Sequence, residues 1–335
     1  DAVLDQIRPF LLESQAARLA AEIAVAQKDT DRFSEQLVLL CRAGESNDQA
    51  LRTILPMGLE AGFDKTIDAI LQKEVSSDAC TAWAAEAFAE RLAAAGQWRQ
   101  LQSLVDRNVE RPEIWNAVAV IYLNGLSEKR KWRRFRKFFK ANRKRLKEND
   151  EAWGHVGYAL LNFDRFKQGT DWLGDWGRRP GARPWMLLNY CLCLWYQMRE
   201  KEALAVSREM VLREPDHATV CHEVLLGFQE AVAGRFDGAR NWVSRIDPQG
   251  LSDYYRFIWL LTLAVLEMTP EVTDPSVQER FQSARQKWAE AHLTVPLAKQ
   301  DQLLRRMAGK AAATLGRLRG GPAGLWFRIR QWFRL

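Results

Sequence analysis

An all-α fold of stacked helix pairs is what this 335-residue sequence predicts, on three observations. Helix formers (Ala, Leu, Glu, Lys, Arg, Gln) dominate, and no Asn-Gly or Asp-Gly turn lies between alternating apolar runs. Apolar residues recur at helical spacing in short segments punctuated by glycine, proline or cap residues. Finally, small and bulky residues recur in one order between Glu151 and His217. Trp153, Val156, Gly157 and Leu160 share one helical face there, and Gly169, Leu173 and Trp176 mark a returning helix that Pro180 stops. About one repeat later Leu187, Tyr190, Cys191 and Leu194 take the same places, followed by Ala203, Ser207, Met210 and Pro215.

Taken in order, Val3 to Ala26 reads as one helix with Leu4, Ile7, Leu11 and Leu12 on its apolar side. Asp29-Thr30-Asp31 supplies cap chemistry before a helix through Phe33, Leu37, Leu40 and Cys41. Asn47–Glu74 makes another pair, broken near Gly62, with Ile67, Ile70 and Leu71 on its second helix. Residues 1–79 are therefore expected to be divergent repeats or a cap. From Cys80 the pattern sharpens: Trp83, Ala87, Phe88 and Leu92, a turn at Gly96, then Trp98, Leu101, Leu104 and Val105. Trp115, Val118, Ala119 and Tyr122 open the next pair, followed by Gly125 and a strongly basic helix. After the two central pairs come Leu226-Gly227, Gly234, Phe236, Ala239 and Val243, ending at Asp247-Pro248. Residues 251–319 then offer Phe257, Leu260 and Leu261, a loop through Pro270 and Pro275, a return through Phe281, Ala284 and Trp288, and a closing helix, Leu297–Leu318. Residues 320–335 form a separate basic tail.

The steps from Trp83 to Trp115, Trp153 and Leu187 are 32, 38 and 34 residues. Over Cys80–Pro248 the chain resembles the tetratricopeptide (TPR) repeat family. That resemblance implies an α-solenoid of about seven antiparallel helix pairs, because a single hairpin cannot bury its apolar face alone. It also implies a ligand groove lined by the first helix of each pair. The places carried over are Asn116, Leu123 and Asn124, then Tyr158 and Asn162, then Trp185, Trp195 and Tyr196, then Phe228. Amides and rings in one groove suit a protein or peptide partner; the competing reading packs these rings between repeats. The lysine-and-asparagine pattern with which chaperone-binding TPR domains clamp a terminal carboxylate is not evident here.

A net charge of +7 conceals a strong asymmetry. Lys129–Lys147 carries twelve Lys and Arg and no acid, and the stretch after Asp301 carries eight more with none, which leaves −13 for everything else. In the first, Trp132, Phe135, Phe139 and Leu146 fall on one helical face. Arg133, Arg134, Arg136, Lys137, Lys140, Arg143 and Lys144 lie elsewhere, which predicts a core stripe backed by a cationic surface for a polyanion: nucleic acid, anionic lipid or acidic protein. In the tail, Leu325, Trp326, Ile329, Trp332 and Phe333 take one side of a helix and Arg328, Arg330 and Arg334 the other, as in an interfacial membrane helix or one docked on protein.

The five cysteines, Cys41, Cys80, Cys191, Cys193 and Cys221, form no disulfide framework, and Cys191 and Cys193 point apart on their helix. Free thiols fit a reducing, cytoplasmic compartment, with peripheral membrane contact through the tail. His155, His217, His222 and His292 are scattered; His217, Cys221 and His222 fall together without zinc-site spacing. With no Gly-rich phosphate loop after a strand, no cofactor, metal or catalytic residue is expected. The expected function is a non-catalytic scaffold holding a protein or peptide while basic patches meet an anionic partner. The alternatives are the helical-repeat region of a larger enzyme, such as a transferase whose catalytic domain precedes Asp1, or a polyanion- or RNA-binding repeat protein.

Overall fold

A computed structural model describes residues 12–42, 48–77, 80–267, 283, 286–287 and 302–318. Among the described residues it is all-helical, with sixteen α-helices, two 3-10 turns and no strand. In chain order these are α1 (Glu13–Gln27), α2 (Thr30–Arg42), α3 (Asp48–Glu60), α4 (Asp64–Glu74), α5 (Ala82–Ala94), α6 (Trp98–Arg107), α7 (Pro112–Glu128) and α8 (Trp132–Glu148). The rest are α9 (Asp150–Asn162), α10 (Phe166–Leu173), α11 (Pro184–Tyr196), α12 (Glu200–Met210), α13 (Thr219–Val232), α14 (Phe236–Val243), α15 (Asp253–Leu266) and α16 (Gln302–Leu318). The expected helix through Phe281, Ala284 and Trp288 and the tail 320–335 lie outside the described residues, as do Leu4, Ile7 and Leu11.

The turns inside the pairs obey one rule. Each of the first seven odd-numbered helices ends in a residue of left-handed backbone: Lys28, Gly62, Gly96, Arg130, Asp164, Met198 and Gly234. Five successive steps between them are 34 residues, and the last is 36. At every one the amide of the next residue bonds the carbonyl five residues back, from Asp29 to Ala24 through Lys131 to Leu126 to Arg235 to Glu230. The left-handed residue's own amide meanwhile bonds three back, as in Gly96 to Ala93. This paired closure satisfies helix carbonyls that would otherwise be orphaned, and it fixes the angle at which the next helix returns. Residues 28 and 62 obey the same spacing as the later turns, so residues 12–77 are in register with the pairs that follow.

The chain divides into two compact units, Asp1–Ala159 and Leu160–Leu335, with the division inside α9. In the first, α1 packs on α2 and α3, and α7 packs on α5, α6 and α8. Its core holds Phe33, Leu37, Ile54, Ile67, Leu104, Trp115, Tyr122 and Phe135, all essentially without exposure. A bidentate ion pair from Arg42 to the buried Glu74 ties α2 to α4 at 2.8 Å, and Arg91 on α5 reaches Asp64 and Asp68 on α4. The α8 stripe differs in one member from expectation. Phe135, Phe138 and Leu146 are buried while Phe139 is half-buried. Phe138 turns inward because Trp115 and Tyr122 on α7 present rings to it, at 6.3 Å and 5.0 Å between centroids. Trp132, Phe135 and Phe139 stack on one another along the helix.

In the second unit α11 packs on α10, α12 and α13, α13 packs on α12 and α14, and α15 packs on α13 and α14. Gly169 marks a close crossing between α10 and α11: a Cβ there would lie 2.7 Å from the sulfur of buried Cys193. Gly169→Ala is therefore expected to destabilise the chain by about 1–2 kcal/mol, overpacking outweighing the gain in helix propensity. Adding Cys193→Ala opens the space again, so the pair should show a favourable coupling of about 1 kcal/mol or more in urea denaturation. Simple additivity of the two costs would contradict the crossing.

Candidate functional site

The first helix of each pair was expected to line a partner groove, and the two units treat that side differently. In the first unit α1 packs on α3 and α5 on α7, but between α3 and α5 a cleft of about 450 Å³ opens. Leu55, Leu59, Ala87 and Ala94 line it, with Trp83 at one end. The Arg52 guanidinium stacks over the Trp83 ring at 4.5 Å and lies 3.9 Å from Glu86, while Glu90 and Arg91 complete the charged rim. The sequence reading placed no site here. Its signal was nonetheless present, because Arg52 and Glu86 occupy equivalent places one 34-residue step apart.

The residues carried over from the family resemblance are distributed as follows. Asn116, Asn124 and Tyr158 are half-buried in the first unit, with the Asn124 amide oxygen 2.9 Å from His155 Nδ1. Asn162, Trp185 and Tyr196 are half-buried in the second, and Tyr196 stacks flat on Phe166 with ring centroids 4.2 Å apart. Trp195 and Phe228 have no exposed surface. Helix α16 is the reason for this in the case of Trp195. It packs on α15 and also reaches α11 and α13, so it lies across three first helices rather than only on the last pair. Its Lys310 ammonium sits 5.6 Å from the Trp195 ring centroid and pairs with Glu200, and Arg306 donates to the Trp195 carbonyl. A ligand cannot reach Trp195 while α16 is in place.

On α8, Arg133, Arg134, Arg136, Lys137, Lys140, Arg143 and Lys144 are all exposed. The helix carries one acid, Glu148, 3.9 Å from Lys144. The aromatic stripe holds α8 to α7 from the opposite side, so the sequence brings these cations together by helical spacing alone. The predicted membrane-facing residues Trp326, Arg328, Ile329, Arg330, Trp332 and Phe333 lie outside the described residues. Among the described residues no helix is long and apolar enough to cross a membrane.

One polar cluster has the outline of a nucleophile and its base. Ser207 Oγ lies 2.9 Å from His222 Nδ1, and Cys191 Sγ lies 3.5 Å from the same oxygen. His222 Nε2 is 3.0 Å from the Pro184 carbonyl, which can only accept, so Nε2 carries the proton and Nδ1 accepts from Ser207. Cys191 donates to the Ala203 carbonyl. Every group is spent on tying α11, α12 and α13 together, and neither Ser207 nor His222 has any exposed surface. Burial holds the His222 imidazole below its ordinary range and therefore neutral. Burial likewise pushes the Cys41, Cys191, Cys193 and Cys221 thiols up to about 12, which makes them poor nucleophiles at neutral pH. His217 is exposed and apart from this cluster, and no grouping of metal-ligating side chains occurs among the described residues. No protein-family model and no curated protein matches the chain.

Proposed function

We propose that this chain is a non-catalytic, TPR-like helical-repeat scaffold that binds a peptide segment of another protein on its first-helix side. The observation that carries the reading is the α3–α5 cleft, apolar at its floor and charged at its rim. Clefts of that composition bury one or two apolar anchors and orient the chain around them through a few polar contacts. A fitting segment places a leucine-sized or aromatic side chain against Leu55, Leu59 and Ala87 and a basic residue beside Glu90. Asn116, Asn124 and Tyr158 extend the same side toward the peptide backbone. The uniform closure of seven turns at 34-residue spacing supports the repeat reading over a bundle of unrelated helices.

The test is peptide display on the intact chain, followed by affinity measurement on the enriched sequences. Ala87→Trp fills the cleft from a half-buried position and is expected to weaken those peptides at least about 30-fold with little change in thermal stability. Enriched peptides that bind the Ala87→Trp variant as well as the parent would remove the cleft from consideration.

The exposed α8 cations favour a second, compatible reading, in which α8 meets a phosphate-bearing polyanion. Self-repulsion among twelve neighbouring cations is a standing cost that a solvated helix face does not need, and a polyanion relieves it. A role as the repeat region of a larger enzyme is compatible with both, since either surface would then serve that enzyme's targeting.

A further inference from the structure

The face formed by α11, α13 and α15 already holds a helix, and the manner of holding defines what else it takes. Helix α16 buries Leu303, Leu304, Met307, Ala308, Ala311 and Ala312, a stripe at helical spacing of which half is alanine. Its polar ties are cations set on helix ends. Arg306 donates to the carbonyl of Trp195 near the C-terminus of α11, and Arg317 donates to that of Val232, the last residue of α13, at 3.2 Å. Lys310 pairs with Glu200 in the first turn of α12. Orphan carbonyls at helix C-termini attract any correctly placed cation, so these contacts read a pattern and do not depend on chain connectivity.

The fit is also incomplete. Trp195 Nε1 and Arg306 Nε, both in this contact, are buried and have no hydrogen-bond partner. Trp259 Nε1 on α15 and Gln229 Oε1 on α13, the other two helices that α16 covers, are in the same condition. A fixed core seldom leaves several donors and acceptors unmade in one contact, whereas a groove suited to more than one occupant does.

We propose that the α11–α13–α15 face is a binding site for a basic amphipathic helix carrying the stripe Leu-Leu-x-x-Met-Ala-x-x-Ala-Ala, and that α16 is its exchangeable occupant in cis. The partner is a helix of another protein with an arginine at the α16 Arg306 place and a lysine at the Lys310 place. This does not rest on the α3–α5 cleft, which belongs to the other unit.

A fluorescent synthetic peptide of residues 302–318 is the probe, measured by anisotropy on the full chain. The parent is expected to bind it weakly, because the face is occupied. Ala311→Glu sets a carboxylate into the fully buried stripe and ejects α16, so this variant should bind the peptide at least ten times more tightly. A peptide carrying Lys310→Glu should bind Ala311→Glu poorly and regain affinity when Glu200→Lys is added, a charge swap that a nonspecific apolar surface would not reproduce. A folded Ala311→Glu chain that ignores the peptide overturns the proposal. So does an Ala311→Glu chain that loses its helical circular dichroism, since α16 would then be fixed core. Concentration-dependent dimers of the parent with no peptide binding would assign the face to a second copy instead and overturn the partner reading.

Discussion

His222→Ala is expected to lower stability by about 3 kcal/mol, the largest effect of any single substitution outside the apolar core. The cost combines a cavity at a fully buried site with the Ser207 hydroxyl and Pro184 carbonyl left without their partner. For a unit of this size that corresponds to a fall of roughly 6–12 °C in thermal midpoint, read by far-ultraviolet circular dichroism. A fall under about 2 °C would mean that the α11–α12–α13 node contributes little. The same residue sets a pH dependence. Burial, the largest influence on His222, depresses its native affinity for a proton, partly opposed by its bond to the Pro184 carbonyl and by nearby Asp216. The unfolded chain takes up that proton near the ordinary imidazole value of 6.5, and the native chain resists it. Stability should therefore fall as pH drops below about 6.5, and His222 should contribute no slope above it. His222→Gln removes this slope while keeping a donor and an acceptor. An unchanged difference in stability between pH 7 and pH 5.5 in that variant would refute the assignment.

Neutralising Arg133, Arg134, Lys137 and Lys140 to glutamine is expected to weaken binding of a single-stranded RNA 20-mer by at least about 100-fold near 100 mM salt. The slope of log affinity against log salt should flatten by about 3, because each cation withdrawn from a phosphate spares about 0.7 counterions on a single strand. All four side chains are exposed, so thermal stability should hold or rise slightly as self-repulsion is relieved. Anionic vesicles measured in parallel identify the phosphate source: loss on vesicles alone assigns α8 to a lipid surface. Equal binding by parent and variant on both probes would leave α8 as a solvated repeat helix.

Much of this fold was legible in the residues. Phe33, Leu37, Leu40 and Cys41, or Leu101, Leu104 and Val105, announce a buried helical face by spacing alone, and the structure buries each of them. Asp29 was expected as cap chemistry, and its carboxylate does accept from the Arg32 amide at 3.0 Å. The tighter rule at the turns was harder to see. Only Gly62, Gly96 and Gly234 of the seven left-handed residues are glycine. Lys28, Arg130, Asp164 and Met198 take the same backbone without the usual sequence signal, so aromatic landmarks suggested steps of 32 and 38 where the turns keep 34. Phe138 was missed for a different reason. Phe138 and Phe139 are equivalent by composition, and the rings of Trp115 and Tyr122 decide which of them is buried.

The sequence by itself determined the helices, the rhythm of pairs and the cationic face of α8, because helical periodicity, capping and local charge are fixed within a few residues of the backbone. Only the tertiary structure decided which first-helix surfaces are open. The α3–α5 cleft exists because two helices 34 residues apart stand off from each other, and Trp195 is covered because α16, more than a hundred residues downstream, packs over it. Exposure belongs to pairs of segments distant along the chain, and no local pattern specifies which distant segment arrives.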